Sequence, residues 1–262
     1  MSEFRQKKKF GQHFLKDKNI IRKIVKIAEL EEDTLVWEIG PGKGILTNEI
    51  LNHTPNLTCF EIDKELYDFI KNNFDVLLIK QDVLSADWKK LLDEKQNVKI
   101  VSNLPYMITT PFLFKIVENK EHFSKIVIMI QKEVAQRITA EKDTKKYGIL
   151  SLKLQFYFDI KYEFTVKPHL FFPPPKVDSA VISMIPKQPD FILEKPKLFW
   201  RIVTVAFQNR RKMLRRNFRV LIENEKIPIL ETKSGIDMTK RAENLSIKDF
   251  YSLYLSYMEM TK

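Results

Sequence analysis

The strongest constraint on the fold of this chain is the regular alternation of short apolar runs with helix-like segments between residues 34 and 131. The apolar runs have the length of strands, and the segments between them carry apolar residues at helical spacing. This alternation is typical of βαβ units and predicts an α/β fold, with a parallel sheet covered by helices on both faces. The predicted strands span 34–39, 57–62, 76–80, 98–103 and 126–131, and the predicted helices 45–52, 64–73, 87–94 and 110–119.

The alternation ends after Gln131, and the remaining chain has a different organisation. Three of the eleven residues from Pro186 to Pro196 are proline, which predicts a linker. We therefore expect an α/β domain with a basic N-terminal arm over residues 1–185 and a small helical domain over 186–262. The other predicted helices are 19–30, 133–140, 149–156, 198–224 and 248–260, and an antiparallel strand pair is predicted over 159–166 and 178–185.

The charge of the chain lies mostly at its two ends. The net charge is +11 overall, +6 over residues 1–23 and +7 over residues 186–262, while residues 24–185 carry −2. Solvated surface charge explains any single lysine, but a polarised distribution favours a polyanionic partner such as a nucleic acid.

Several other classes of protein are disfavoured by the sequence. No apolar run approaches the roughly 20 residues that a membrane span needs, and the basic N-terminal segment lacks a signal-peptide core, so we expect a cytoplasmic protein. The single cysteine, Cys59, lies in an apolar run and is expected to be a buried small hydrophobe. The four histidines are scattered without metal-ligand spacing, so no metal site is predicted.

A glycine-rich turn follows the first predicted strand, in the sequence Glu38-Ile39-Gly40-Pro41-Gly42-Lys43-Gly44. Glycines allow a tight turn and a close backbone approach to a ligand, and the helix that follows directs its N-terminus to the same place. Such a turn alone fits a dinucleotide site, a methyl-donor site or only a tight turn. The carboxylate of Glu38 would repel a pyrophosphate, and it suits a cationic ligand such as S-adenosylmethionine.

Two more acids follow the next two predicted strands. Glu61 ends the second strand, where a carboxylate can accept hydrogen bonds from ribose hydroxyls. Asp82 follows the third strand and can accept a hydrogen bond from an adenine amine. Three acids at three successive strand ends predict a site for a nucleoside with a cationic tail.

The fourth strand ends in Asn103-Leu104-Pro105-Tyr106. The Asn103 side-chain oxygen and the Leu104 carbonyl can accept the two hydrogens of an exocyclic amine, which favours a localised lone pair on its nitrogen. Pro105 fixes the local backbone, and Tyr106 offers a face on which a base can stack, for about 1–3 kcal/mol. These four residues are predicted to position an adenine amine for attack on a sulfonium methyl group.

Two later segments fit a nucleic-acid substrate. Phe171 begins a stiff proline-rich stretch that ends at Val177, and it is predicted to supply a second face against the base. The segment Phe207–Arg219 holds six basic residues and no acid, and we predict an amphipathic helix with one packed and one cationic side. The predicted RNA-binding residues are Arg210, Arg211, Lys212, Arg215, Arg216 and Arg219 in this segment, and Lys7, Lys8 and Lys9 in the N-terminal arm.

These motifs, in this order, resemble those of the KsgA-type ribosomal RNA adenine dimethyltransferases. The resemblance also includes Lys9–Leu15 and Arg241–Ser246, and so covers nearly the whole chain. It implies a Rossmann-like sheet that uses S-adenosylmethionine, a small C-terminal all-helical domain that binds rRNA, and dimethylation of two adjacent adenosines near the 3′ end of 16S rRNA. It further implies that the chain acts, as a monomer, on a late precursor of the 30S subunit. The donor contacts that it implies are His13, Leu15, Gly40, Glu61, Asp82 and Asn103.

Three alternatives stay open on the sequence alone. The first is a relative that methylates a single adenosine of 23S rRNA and confers antibiotic resistance; the arginine-rich segment from Phe207 argues against it. The second is an RNA-binding assembly or transcription factor with a vestigial methyltransferase site, against which the intact glycine turn and Asn103 argue. The third, more distant alternative is a dinucleotide oxidoreductase.

Overall fold

The computed structural model describes residues 13–92 and 97–261. Its strands are β1 (Phe14–Leu15), β2 (Val36–Ile39), β3 (Leu57–Phe60), β4 (Leu77–Ile79), β5 (Val98–Asn103), β6 (Phe123–Gln131), β7 (Phe158–Val166), β8 (Phe171–Phe172) and β9 (Ser179–Pro186). Its helices are α1 (Lys18–Ala28), α2 (Ile45–Leu51), α3 (Lys64–Asn73), α4 (Trp88–Leu91), α5 (Thr109–Glu118), α6 (Lys132–Ile138), α7 (Ile149–Tyr157), α8 (Pro196–Phe207), α9 (Leu214–Asn217), α10 (Ile227–Ser234) and α11 (Ile247–Met260).

The central feature is a seven-stranded sheet with the order β4-β3-β2-β5-β6-β9-β7. Strands β2 to β6 pair in parallel, and β9 runs antiparallel between β6 and β7. The chain moves outward from β2 to β4 and then returns to place β5 on the other side of β2. The carboxyl ends of β2 and β5 therefore meet at a topological switch point, which is where open α/β sheets bind ligands.

The burial of the strands explains why they read as continuous apolar runs. All four residues of β2 are buried, and β6 is buried at every position from Ile126 to Ile130, because helices cover both faces of the sheet. One layer contains α1, whose buried Ile21 and Ile24 belong to the same core cluster as Val101 and Val127 of the sheet. The predicted α/β architecture with a parallel sheet is confirmed.

A second, two-stranded sheet joins β1 to β8 in antiparallel pairing, with Phe14 opposite Phe172 and Leu15 opposite Phe171. Two residues are too few to produce a recognisable strand pattern, and the sequence did not predict this pairing. It brings the segment around His13 next to the proline-rich stretch that follows Phe172.

The chain divides into two compact units, one containing the sheet and one containing helices. The helical unit comprises residues 136–156 together with the chain from 188 onward, whereas the predicted boundary at 185/186 assigned residues 136–156 to the first domain. The buried Leu152 packs in one cluster with Phe199 and Tyr254, which explains why this inserted segment groups with the C-terminal helices.

The single helix predicted over 198–224 is wrong. Helix α8 ends at Phe207, a turn follows, and a short helix begins again at Leu214. The amides of Leu214 and Arg215 donate to the carbonyls of Lys240 (2.8 Å) and Met238 (2.9 Å), so tertiary hydrogen bonds replace helical ones there. Neither glycine nor proline marks the break, which is why the sequence pattern missed it.

Two smaller observations complete the fold. Helix α4 covers only Trp88–Leu91 of the predicted 87–94, and residues 93 and 94 lie outside the described part of the chain. Among residues 13–92 and 97–261, no helix has the length and apolar character needed to cross a membrane.

Candidate active site

A pocket of about 260 Å³ lies at the switch point of the sheet. The carboxyl ends of β2, β3 and β5 and the turns that follow β2 and β4 form its walls, and β1 covers one side. The structure therefore brings together in one cavity the predicted donor and base-binding residues other than Gly44 and Phe171. These lining residues are His13, Leu15, Glu38, Gly40, Gly42, Glu61, Asp82, Asn103, Leu104, Pro105 and Tyr106.

The glycine turn shapes the floor of the pocket by leaving space that side chains would fill. A Cβ on Gly42 would lie 2.8 Å from Cε1 of Phe14, so only glycine lets β1 approach the turn. Gly44 caps α2 in the left-handed conformation, with φ of 72°, and a Cβ there would overlap the Phe74 ring; Gly44 itself does not line the pocket. Its predicted role as a donor-binding residue is therefore indirect, through the shape of the turn.

Glu38 is buried at the end of β2, with 1% of its surface exposed. Its Oε2 accepts a hydrogen bond from the Thr47 hydroxyl at 2.7 Å and lies 3.8 Å from the sulfur of Cys59, which is buried as predicted. Burial raises the pKa of Glu38 to about 8, because an ionised carboxylate is poorly solvated there. A cationic ligand in the pocket would stabilise the negative charge of Glu38 and so favour its ionised form.

The other two acids are held by backbone amides. Oε1 of the buried Glu61 accepts from the Asp63 amide at 2.8 Å, and burial raises the pKa of this carboxyl group. Asp82 is exposed, and its Oδ1 accepts from the Leu84 amide at 2.9 Å, which fixes the carboxylate at the pocket rim. Both carboxylates keep further lone pairs for a ligand, because a carboxylate has about four acceptor positions.

The segment Asn103–Tyr106 is anchored at both ends. The Asn103 side-chain amide donates to the His13 carbonyl at 3.1 Å, which leaves its oxygen as the acceptor for a substrate. The Leu104 amide donates to the Met129 carbonyl at 3.1 Å. The Tyr106 hydroxyl lies 2.5 Å from the Ser179 hydroxyl, and burial raises its pKa, so the ring is held as a neutral phenol.

His13 joins three parts of the site. Its Nδ1–H donates to the Pro173 carbonyl at 2.9 Å, its own carbonyl accepts from Asn103, and its ring lies 5.8 Å from that of Tyr106. These contacts show that His13 orients the Asn103 amide without any contribution from a ligand.

The predicted position of Phe171 against the base is not supported by the structure. Its side chain is 1% exposed and packs in the core beneath the sheet, because β8 pairs with β1 and turns Phe171 inward. The neighbouring Phe172 points outward with 59% exposure, and the Lys16 ammonium lies 5.6 Å from its ring centre. Alternation along a strand explains the exchange: one of the two successive aromatic residues must face the core.

The predicted RNA-binding residues have different surroundings. Lys7, Lys8 and Lys9 lie outside the described residues. Arg210 donates to the carbonyls of Lys145 (2.7 Å) and Tyr147 (2.8 Å) and contacts Glu243, so it holds the helical unit together. The remaining basic residues are exposed on the turn and on α9 and its continuation: Arg211, Lys212, Arg215, Arg216 and Arg219.

Sequence reasoning missed three residues that support the site. Thr47 holds Glu38, Ser179 holds Tyr106, and Lys115 holds the turn that carries Asp82. Thr47 and Ser179 are ordinary residues whose partners lie 9 and 73 positions away in the sequence. Only Lys115 was noticeable in the sequence, because it is a lysine next to the apolar helix residues Phe112, Leu113 and Ile116, which are buried.

A parallel sheet with a glycine turn and three acids at successive strand ends defines a Rossmann-like methyltransferase. The chain belongs to the ribosomal RNA adenine dimethylase family, because the model of that family matches residues 3–259. It is 41% identical over 254 residues to the ribosomal RNA small subunit methyltransferase A of Prosthecochloris aestuarii, covering 97% of this chain and 94% of the relative. It is 42% identical over 264 residues to the enzyme of that description from Persephonella marina, covering 98% and 96% of the two chains.

Solved structures support the same fold. A dimethyladenosine transferase from Plasmodium falciparum superposes with a TM-score of 0.78 at 24% identity, over 95% of this chain and 98% of the other. The 23S rRNA methyltransferase ErmE superposes with a TM-score of 0.68 at 22% identity, over 94% and 99%. The predicted Rossmann-like sheet with a helical C-terminal part is confirmed.

Proposed function

We propose that this enzyme transfers methyl groups from S-adenosylmethionine to the exocyclic amines of two adjacent adenosines near the 3′ end of 16S rRNA. It acts as a monomer in the cytoplasm, on a late assembly intermediate of the small subunit. One observation carries the proposal: the Asn103 amide, oriented by His13, faces the same pocket as Glu38, Glu61 and Asp82. A base-amine acceptor and a donor site with three acids thus share one cavity.

The pocket fits S-adenosylmethionine in its charge, because three carboxylates line it. Glu38 would face the cationic end of the donor, Glu61 the ribose hydroxyls and Asp82 the adenine amine. The absence of a Cβ on Gly40 and Gly42 lets Pro105 and Phe14 approach the turn, so the base-binding segment and β1 lie close to the donor site. When bound, S-adenosylmethionine supplies an electrophilic methyl group on a sulfonium.

The residues of the chain position the adenine amine rather than react with it. The Asn103 oxygen and the Leu104 carbonyl accept its two hydrogens, which leaves the nitrogen lone pair directed into the pocket. Tyr106, fixed by Ser179, stacks on the base. The base must leave its stack to enter, which single-stranded rRNA allows at little cost. The rate enhancement comes from positioning and electrostatics.

The assignment to the small subunit is supported by relatives with about 40% identity whose names specify that subunit. Primer extension on both rRNAs, isolated from cells that lack their own enzyme and express this chain, tests it. We expect stops at two adjacent adenosines near the 3′ end of 16S rRNA. A stop on 23S rRNA instead would identify a large-subunit methyltransferase, and no stop on either would favour an assembly factor without catalysis.

We expect donor affinity to rise with pH because of Glu38. With a pKa of about 8, this group is mostly neutral at pH 6.5 and must lose a proton when the cationic donor binds. The association constant for S-adenosylmethionine should therefore increase by up to about tenfold per pH unit below 8 and level off above it.

Isothermal titration calorimetry from pH 6.5 to 9 measures this dependence. The matched control is Glu38→Gln, which keeps the shape of the side chain and cannot titrate, so any remaining pH dependence belongs to other groups, such as Glu61 or the ligand. Equal slopes for the two proteins would contradict the placement of Glu38 against the donor cation.

We expect RNA binding to depend strongly on salt through the exposed arginines of α9. Removing Arg215 and Arg216 together should make the slope of log K against log salt shallower by about 1.4–1.8. The reason is that two fewer phosphates then release counterions on binding. Filter binding to small subunits across a salt series measures the slope. Arg210→Ala is not a suitable control, because Arg210 holds the helical unit; Lys233→Ala, which removes a lysine paired with Glu259, should leave the slope unchanged.

A further inference from the structure

The ammonium group of Lys115, on α5, donates all three of its hydrogen bonds to one backbone turn. It donates to the carbonyls of Val83 at 3.1 Å, Leu84 at 2.6 Å and Ala86 at 2.7 Å. A lysine ammonium has three N–H donors, so three carbonyls satisfy it completely. Its stem packs against Trp88, with the ammonium 5.1 Å from the ring centre.

The turn that Lys115 holds is the one that carries Asp82. The Asp82 carbonyl accepts from the amides of Ser85 (2.9 Å) and Ala86 (3.0 Å), and its carboxylate accepts from Leu84. Val83 is 2% exposed and lines the pocket beside Asp82. Its carbonyl also accepts from the Trp88 indole at 2.9 Å. The position of Asp82 at the pocket rim is therefore fixed through carbonyls that Lys115 binds.

The positive charge of Lys115 also favours this position of the Asp82 carboxylate. Burial lowers the pKa of its ammonium group, and the carboxylate of Asp82 is the largest influence that opposes this shift. The two groups thus interact favourably through space as well as through the turn. Helix α5 begins just after Tyr106, so Lys115 links the element that follows the base-binding segment to the turn that borders the donor pocket.

We propose that Lys115 is a positioning residue for the donor adenine: it holds the 82–86 turn so that the Asp82 carboxylate meets the exocyclic amine of S-adenosylmethionine. This inference rests on the proposed function for the identity of the ligand. It assigns a role to a lysine that lies outside the pocket and touches neither substrate.

Lys115→Met tests the proposal, because methionine keeps the apolar stem and removes all three donors. We expect the dissociation constant for S-adenosylhomocysteine, measured by calorimetry, to rise about tenfold, while kcat at saturating donor stays within about twofold. Lys89→Met, which removes an exposed lysine from the adjacent α4, is the matched control and should bind normally.

A double-mutant cycle with Asp82→Ala separates positioning from a general structural role. We expect Asp82→Ala to weaken binding and Lys115→Met to add nothing in that background. Hydrogen exchange of the ligand-free protein should also accelerate at the Ser85 and Ala86 amides. If Lys115→Met proves too unstable, Lys115→Arg should give a smaller loss, because a planar guanidinium cannot reach all three carbonyls.

Three results would overturn the proposal: unchanged affinity in Lys115→Met, additive losses in the cycle, or normal binding by Asp82→Ala. None of them would bear on the methylation of 16S rRNA by the unaltered chain, so a failure here is distinguishable from a failure of the proposed function.

Discussion

Replacing Asn103 with alanine should reduce kcat for methyl transfer by about 10²- to 10³-fold, the effect of removing one preorganised hydrogen-bonding group from an active site. The substitution removes the acceptor for one amine hydrogen, so the nitrogen lone pair is no longer localised toward the pocket. It also removes the hydrogen bond that ties β5 to His13. Single-turnover transfer of a labelled methyl group to small subunits measures the effect.

The control for this experiment is Ser102→Ala, one residue earlier on the same strand. The Ser102 hydroxyl donates to the Ile39 carbonyl at 2.7 Å and is buried away from the pocket lining, so its loss should cost stability with little change in kcat. Normal turnover by Asn103→Ala, with correct folding, would remove Asn103 from the catalytic role assigned to it.

Replacing Gly44 with alanine should lower the free energy of unfolding by about 2–5 kcal/mol. Two costs add: about 1–2 kcal/mol for an L-residue in the left-handed region, and about 1–3 kcal/mol for overpacking, because the new Cβ would overlap Cε2 and Cζ of Phe74. A shift of this size lowers Tm by about 4–20 °C in a chain of this length. Differential scanning fluorimetry measures it directly.

Gly235→Ala provides the matched control. Gly235 has φ of 68°, close to the 72° of Gly44, but nothing lies within 4 Å of its added Cβ, so only the conformational cost of about 1–2 kcal/mol should appear. The double variant Gly44→Ala with Phe74→Leu should regain part of the loss, since the flat ring edge is gone. Equal effects at the two glycines would show that the Phe74 contact has no energetic importance.

The sequence predicted the centre of the sheet well because strands such as β2, β5 and β6 are buried on both faces. Strands such as 98–103 coincide with the structure to the residue, and helix 64–73 does as well, since its Asp63 cap and apolar spacing are both local signals. Contacts between distant segments were not predictable in this way. The break after Phe207 depends on Lys240 and Met238, and the pairing of β1 with β8 joins residues more than 150 positions apart.

The candidate site was predictable for a related reason. In a parallel sheet the residue at each strand end is carried to one edge, so Glu38, Glu61 and Asn103 were expected to meet, and they do. What the sequence could not supply were the supporting contacts. The sequence alone does not distinguish the neighbouring phenylalanines Phe171 and Phe172, and only the register of β8 decides which side chain is buried.

The central claim is most directly tested by incubating purified, unmethylated small subunits with the enzyme and labelled S-adenosylmethionine, followed by nucleoside analysis of the 16S rRNA. The account predicts that the label appears in N6,N6-dimethyladenosine at two adjacent positions near the 3′ end, and that Asn103→Ala slows its appearance by about 10²- to 10³-fold. Label at a single adenosine or elsewhere in the 16S rRNA, or no label with a correctly folded enzyme, would contradict it.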